Sequence, residues 1–430
     1  MSHQDLALRW SRARQFAPLT WVLTSTLSGS MGYWMLTITV PWFVFSTTGS
    51  ASHAGTVIAA EVLPAVVVRL LAGPVVDRVG LRRTSWIGTG VQTIAVVAIA
   101  ALVAMDALSF PVLLALLAVS SASSGAALAA KRGLAPAAAR HVGVAEGRSI
   151  SLAAATTTAS QVLGPALGAL LMPMPAVALA VAAALFATDT LSVGLALPHG
   201  MEPKVHLSEG KLGYWRSLGE GIGYFRRERL LVRLHVMLGS MEFLVAPMTG
   251  VFLPMWVSET DAGPETIGAL ISAAALAGFV GSLVAVYLVE RVRPAVLMSM
   301  GYLLIVPQPL VLALNAPTWV VVVSWVSAGF AGAFPFAVVG RIVYQWPPEK
   351  FRMRVTAISG STARAGGVIG GLVAGGLVDR FGLTVPLIVA AVLYFLVTQG
   401  TVLRKEMRAL TPEIRENRPM AEAPVEESVV

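Results

Sequence analysis

The chain has 430 residues, 56% of them hydrophobic and 13% charged, with a formal net charge of +8 and no cysteine. This is far more apolar than a soluble domain, and the missing cysteines exclude disulfides and thiolate metal sites. No P-loop, H-E-x-x-H or G-x-S-x-G string occurs, so ATPase and hydrolase chemistry, a bound metal and a cofactor are not expected, and the protein is read as no enzyme.

A basic segment at 1–16, with Arg9, Arg12 and Arg14, leads into apolar runs at 17–45, 51–76, 83–105, 109–130, 149–172 and 175–197. Residues 198–230 form the longest loop. There Leu212, Trp215, Leu218, Ile222 and Phe225 recur at three- and four-residue spacing, which predicts an amphipathic helix on the membrane surface. Six more runs follow at 231–257, 263–289, 294–313, 318–345, 356–378 and 383–403, and the polar tail at 405–430 is expected to be disordered. Each run is long enough to cross a hydrocarbon layer roughly 30 Å thick.

Of the 31 Lys and Arg residues, 27 fall in alternate gaps and at the two ends. The second gap holds Arg78, Arg82 and Arg83; the fourth holds Lys131, Arg132, Arg140 and Arg148. Cytoplasmic loops collect Lys and Arg. The prediction is an all-α integral membrane protein whose twelve spans form two six-helix bundles (17–197 and 231–404), with both termini cytoplasmic. The basic residues serve orientation and anionic headgroups, not nucleic acid.

The halves repeat. At an offset of 213, Pro41 pairs with Pro254, Gly55 with Gly268, Asp77 with Glu290 and Arg78 with Arg291. The offset becomes 204 at Ser120, Ser123 and Gly125, matched by Ser324, Ser327 and Gly329, then 203 at Gly164 and Gly168, matched by Gly367 and Gly371. Parallel repeats of this kind hold their substrate between the halves, near the bilayer midplane.

Two strings carry chemistry. Gly73-Pro-Val-Val-Asp77-Arg78-Val-Gly80-Leu-Arg82-Arg83, between the second and third runs, sets a carboxylate at a helix end where it can hold arginines or a helix amino terminus. Gly164-Pro165-Ala-Leu-Gly168-Ala169, in the fifth run, gives one helix face two glycines for close approach and a proline bend. The first string resembles the G-x-x-x-D-R-x-G-R-[KR]-[KR] signature of the major facilitator superfamily. The second is similar to the G-P-x-x-G-G element of that superfamily's proton-coupled exporters. Over roughly 15–404 the chain resembles drug/proton antiporters of the bacterial enterobactin-exporter and macrolide-efflux group, with Thr48, Gly49, Ser50 and Pro64 supporting the placement. Many such antiporters carry an arginine where this chain has Ser121. The resemblance implies that the Asp77 string steadies an outward-facing state. Gly375-x-x-x-Asp379-Arg380-x-Gly382 repeats the letters at the end of the eleventh run, faces outward by span count, and is read as a short turn.

Ionisable groups inside spans mark functional sites. Glu61, Arg69, Asp189, Glu242 and Arg364 qualify. Counting about 1.5 Å per residue puts Arg69, Glu242 and Arg364 in one layer, with Glu61 higher. By resemblance, Glu242 faces the cavity and Arg69 and Arg364 flank the interface, so Glu242 or Glu61 is the expected proton carrier. Asp189 is expected to be structural, and Arg341 to reach the inner surface. Tyr33, Trp34, Met35, Met248, Met255, Trp325 and Phe334 are candidate cavity residues, joined by the polar patch of Ser120, Ser121 and Ser124. The whole predicts a proton-gradient-driven exporter of a hydrophobic or amphiphilic small molecule, acting as a monomer in the bacterial plasma membrane. Import of an anionic metabolite and a transport-inactive sensor or assembly factor are the alternatives.

Overall fold

The computed structural model describes residues 3–196, 219–220, 222–260 and 262–403, and every element among them is helical. The first half comprises α1 (His3–Thr48), α2 (Ala51–Leu71), α3 (Gly73–Val79), α4 (Leu81–Ala104), α5 (Phe110–His141), α6 (Glu146–Leu171) and α7 (Pro175–Ala196). The second comprises α8 (Arg229–Pro247), a π turn (Met248–Phe252), α9 (Leu253–Glu259), α10 (Glu265–Leu288), α11 (Pro294–Leu303), α12 (Pro307–Ala313), α13 (Thr318–Gln345), α14 (Glu349–Phe381) and α15 (Thr384–Val402). Nine helical segments among the described residues are long and apolar enough to cross a membrane. Their outward faces carry bare apolar side chains such as Ile94, Leu191, Val286 and Leu396, as helices solvated by lipid do.

Prolines set the breaks. Pro74 lacks the N–H that would continue α2, so the expected 51–76 span ends at Leu71 and α3 starts afresh. Pro307 divides the ninth run into α11 and α12 in the same way. Gly80 joins α3 to α4 at φ 92°, a left-handed conformation that only glycine takes readily. The helix α1 begins at His3, inside the segment expected to precede the first span.

Within the first bundle α1 packs on α6 and α7, α4 on α5 and α7, and α2 on α5. In the second, α13 packs on α10 and α11, α15 on α12, and α8 on α14. The bundles meet along two seams, α2 against α14 and α6 against α10. Of the expected surface helix, Leu212, Trp215 and Leu218 lie outside the described residues. Phe225 is buried edge-on against His235 of α8, and Ile222 is exposed. The tail at 405–430 lies outside them as well.

Candidate functional site

Close backbone approach builds the seams. A Cβ on Gly55 would run into the Gly371 carbonyl, and one on Gly375 would meet Ala51 O at 2.6 Å and Ser52 Cα at 2.9 Å. Gly268 sits against Ala169 and the Pro165 carbonyl, and Ser272 Oγ donates to Val162 O at 3.0 Å. Gly164 and Gly168, expected at a helix interface, press instead on α1 of their own bundle, at Met31, Trp34 and Met35. The bundle-crossing face of α6 is the next one round, Pro165 and Ala169.

At the end of the α2–α14 seam, Asp379 caps α2. Its carboxylate accepts from the backbone N–H groups of Ala51 (2.8 Å) and Ser52 (3.0 Å) and from Ser50 Oγ (3.0 Å). The turn expected at 375–382 is therefore a contact between halves. A helix amino terminus presents free N–H groups and a partial positive charge, which an aspartate on another helix satisfies as well as a local cap does. Asp379 lies beyond the apolar stretch of 356–378. Partial burial raises its carboxyl, but the hydrogen bonds from Ser52, Ala51 and Ser50 outweigh this and hold it below the ordinary aspartate value.

Between the bundles is a cavity of about 730 Å³. From the first half it is lined by Tyr33 and Trp34 of α1, Glu61 and Arg69 of α2, Arg132 of α5 and Gln161 of α6. From the second half come Met241, Glu242 and Val245 of α8, Phe336 of α13 and Arg364 of α14. All four ionisable residues predicted to work together line this one space. Arg364 donates to Tyr33 Oη at 3.4 Å, a contact between halves, and Glu242 is its electrostatic neighbour. Arg69 has a buried Nε without a hydrogen-bond partner. Ser121, where the resembling antiporters carry arginine, bonds the backbone of α2: its Oγ donates to Glu61 O and accepts from Ala65 N at 3.1 Å. It bonds the Glu61 segment and is not among the lining residues of the central cavity.

A second cavity, about 550 Å³, adjoins the first, chiefly on the first-bundle side, and is lined by Ser124, Lys131 and Asp189 among others, with Arg364 reaching it from the second bundle. Lys131 Nζ donates to both Asp189 oxygens at 2.5 and 2.6 Å, and Ser25 Oγ to Oδ1 at 2.6 Å. This satisfies Asp189 structurally. It also corrects the charge count: Lys131 and Arg132 were assigned to a loop, but α5 runs on to His141, with Lys131 turned inward to Asp189 and Arg132 exposed at the cavity. A third cavity of about 640 Å³ includes Trp34, Met248 and Trp325.

Of the ten cavity candidates, Tyr33, Trp34, Ser124, Met248 and Trp325 thus line cavities. Met35 is wholly buried in the core of the first bundle, Ser120 is buried, and Phe334 is buried edge-on to Phe330. Met255 packs on the core of the second bundle. Of the Asp77 string, the side chains of Gly73 and Asp77 lie outside the described residues. Arg78 and Arg83 are exposed, and the Arg82 guanidinium bonds the Gly194 carbonyl at the end of α7. Arg341 donates to Val289 O at 2.8 Å.

The family model described as Major Facilitator Superfamily matches residues 22–260 and again 236–427. The multidrug efflux pump Tap of Mycobacterium tuberculosis (strain ATCC 25618 / H37Rv) is 27% identical over 371 residues, 85% of this chain and 88% of that one. The pump of the same name from Mycolicibacterium fortuitum is 25% identical over 374 residues, covering 85% and 90%. Among solved structures, the nucleoside transporter NupG superposes with a TM-score of 0.76 at 15% identity, covering 90% of this chain and 98% of that one. The D-xylose-proton symporter superposes at 0.67 and 16%, covering 93% and 99%.

Proposed function

Because the chain belongs to the Major Facilitator Superfamily, a family of multi-pass plasma-membrane transporters, we propose that it is a proton-coupled exporter of a hydrophobic or amphiphilic small molecule. On this reading α8–α9 and α11–α12 each count as one crossing and α3 as a loop helix, for twelve crossings, and the Lys and Arg bias supports cytoplasmic termini. The observation that carries the reading is that Glu61 from one half and Glu242 from the other line a single cavity between the halves, alongside Arg364. A carboxyl in a dry site takes up a proton readily, and a nearby guanidinium favours its release. Rocking of one bundle against the other changes how close Arg364 of the second bundle stands to Glu61 and Tyr33 of the first, which ties proton release from Glu61 to the exchange of sides.

The efflux direction is supported by the relatives, whose names describe multidrug efflux pumps. Trp34, Met241, Val245 and Phe336 supply an apolar wall that repacks around varied shapes. In this state the α2–α14 seam and the Asp379 cap hold one end shut. By the predicted topology that end is the outer one, so the arrangement is inward-facing and awaits cargo from the cytoplasm.

The test starts from a growth screen against a compound panel, with and without a protonophore. The hits are then taken to proteoliposomes. Substrate-driven proton flux is expected in the wild type and should vanish in Glu242→Gln and Glu61→Gln at normal protein levels. Wild-type flux in both variants removes these carboxyls from coupling.

A further inference from the structure

The cavity holds more positive charge than its acids balance. Around it stand three guanidinium groups, Arg69, Arg132 and Arg364, and two carboxyls, Glu61 and Glu242; Lys131 and Asp189 next door neutralise each other. The excess is local. Glu242 neighbours Arg364, whereas the charged neighbours of Arg69 are Arg364 and Arg132, both cations. Arg69 Nε is buried without a hydrogen-bond partner, and Arg132, an exposed residue, lines the same cavity. Like charges brought together at the edge of a low-dielectric space repel strongly, and such an arrangement is relieved by a counter-anion. The planar donor fork of arginine matches a carboxylate, sulfonate or phosphate.

The surroundings define the rest of the ligand. Trp34, Met241, Val245 and Phe336 form an apolar surface in the same cavity as the guanidinium groups. We propose that Arg69 and Arg132, with Arg364 beside them, form an anion subsite, and that the transported molecule is an amphiphile with an acidic head and an apolar body. This rests on the transporter reading above and narrows its substrate class. The repeat supports it. Arg69 corresponds to Ser282, Arg132 to Phe336 and Arg364 to Gln161, so one half-site of the duplicated frame carries guanidinium groups where the other carries neutral side chains.

Two probes of matched shape separate the outcomes: pyrene-1-sulfonate and its trimethylammonium counterpart. Binding is measured by equilibrium dialysis against the whole protein in phosphatidylcholine nanodiscs, with empty nanodiscs as the blank. The sulfonate is expected to bind and the cation not. Arg69→Gln and Arg132→Gln should each weaken sulfonate binding by at least about 10-fold, the worth of one charged hydrogen bond. Arg132→Lys should restore part of the loss, and Arg293→Gln, on an exposed loop, none should be lost. Unchanged elution on size exclusion confirms folding of each variant. Equal or tighter binding of the cation, or sulfonate binding indifferent to both Gln variants, overturns the proposal. Displacement of the sulfonate by inorganic phosphate alone at equal affinity would show an ion site with no amphiphile specificity and would also overturn it. Loss of binding in phosphatidylglycerol nanodiscs would assign the site to a lipid headgroup instead. None of these failures touches proton-coupled transport, which is read separately by flux.

Discussion

At the α2–α14 seam Gly55 meets the Gly371 carbonyl, and at the α6–α10 seam its repeat counterpart Gly268 meets Pro165 and Ala169, the neighbours of Gly371's counterpart Gly168. The two contacts are one piece of architecture used twice. Their charges are not duplicated. Glu61 and Arg69 of α2 correspond to Ala274 and Ser282 of α10, Arg364 of α14 to Gln161 of α6, and Asp379 of α14 to Ala176 at the start of α7. Small residues at equivalent places let both seams close tightly, a packing role each must keep. Ionisable groups inside a membrane are costly and survive where they work. Both seams share the close packing, whereas the ionisable residues Glu61, Arg69, Arg364 and Asp379 belong to the α2–α14 seam.

The sharpest break in that comparison is steric. Gly55→Leu and Gly268→Leu should each abolish transport with protein still in the membrane, because each seam needs backbone contact; activity in either shows that its seam need not close. Next in size is Lys131→Met, which strands the buried Asp189 charge. It should cost about 3–5 kcal/mol of stability, and Lys131→Met with Asp189→Leu should recover most of it. Thermal unfolding in detergent measures both, and an unaffected Lys131→Met would show Asp189 to be satisfied without its partner.

A smaller effect separates the seams directly. The chain has no cysteine, so Thr37→Cys places a lone thiol in the central cavity. Its reaction with an impermeant maleimide added outside should rise about 10-fold in Asp379→Ala, which loses charged hydrogen bonds. Ser272→Ala, which loses one neutral bond at the other seam, should change it by less than about 3-fold. Equal responses would erase the distinction. The mildest test uses pH. Because closure lowers the Asp379 carboxyl below its ordinary value, the cap contributes fully above that value, about 3.9, and fades as pH falls through the lowered one. Outer acidification below about pH 4 lowers the thiolate fraction in every variant, but the ratio of Thr37→Cys labelling with Asp379 present to that with Asp379→Asn should rise across this range.

The helical class, the repeat and the four ionisable residues around the cavity were legible because single charges stand out in long apolar runs. Lys131 and Arg132 were misplaced because a charge after an apolar run reads as a loop. Gly133 and Pro136, just beyond the charges, strengthen that misreading as helix-stop signals, yet α5 runs through both to His141. Met255 missed the cavity because seven residues from Met248 is two turns of α-helix. The π turn at Met248–Phe252 inserts a wider turn, and the face of α9 lags by about a quarter turn. Asp379 was noticed as a string, but its partners lie more than three hundred residues earlier, a pairing that no local pattern announces.

Two of the three donors that Asp379 engages are main-chain amides. Ordinary replacements at positions 51 and 52 leave those amides in place, and only proline deletes one. One partner in this closure is thus immune to most sequence drift, while the other hangs on a single codon. Variation that tunes how readily this end opens should accumulate at 379, with position 52 freer to diverge than 51, which burial against the seam keeps small.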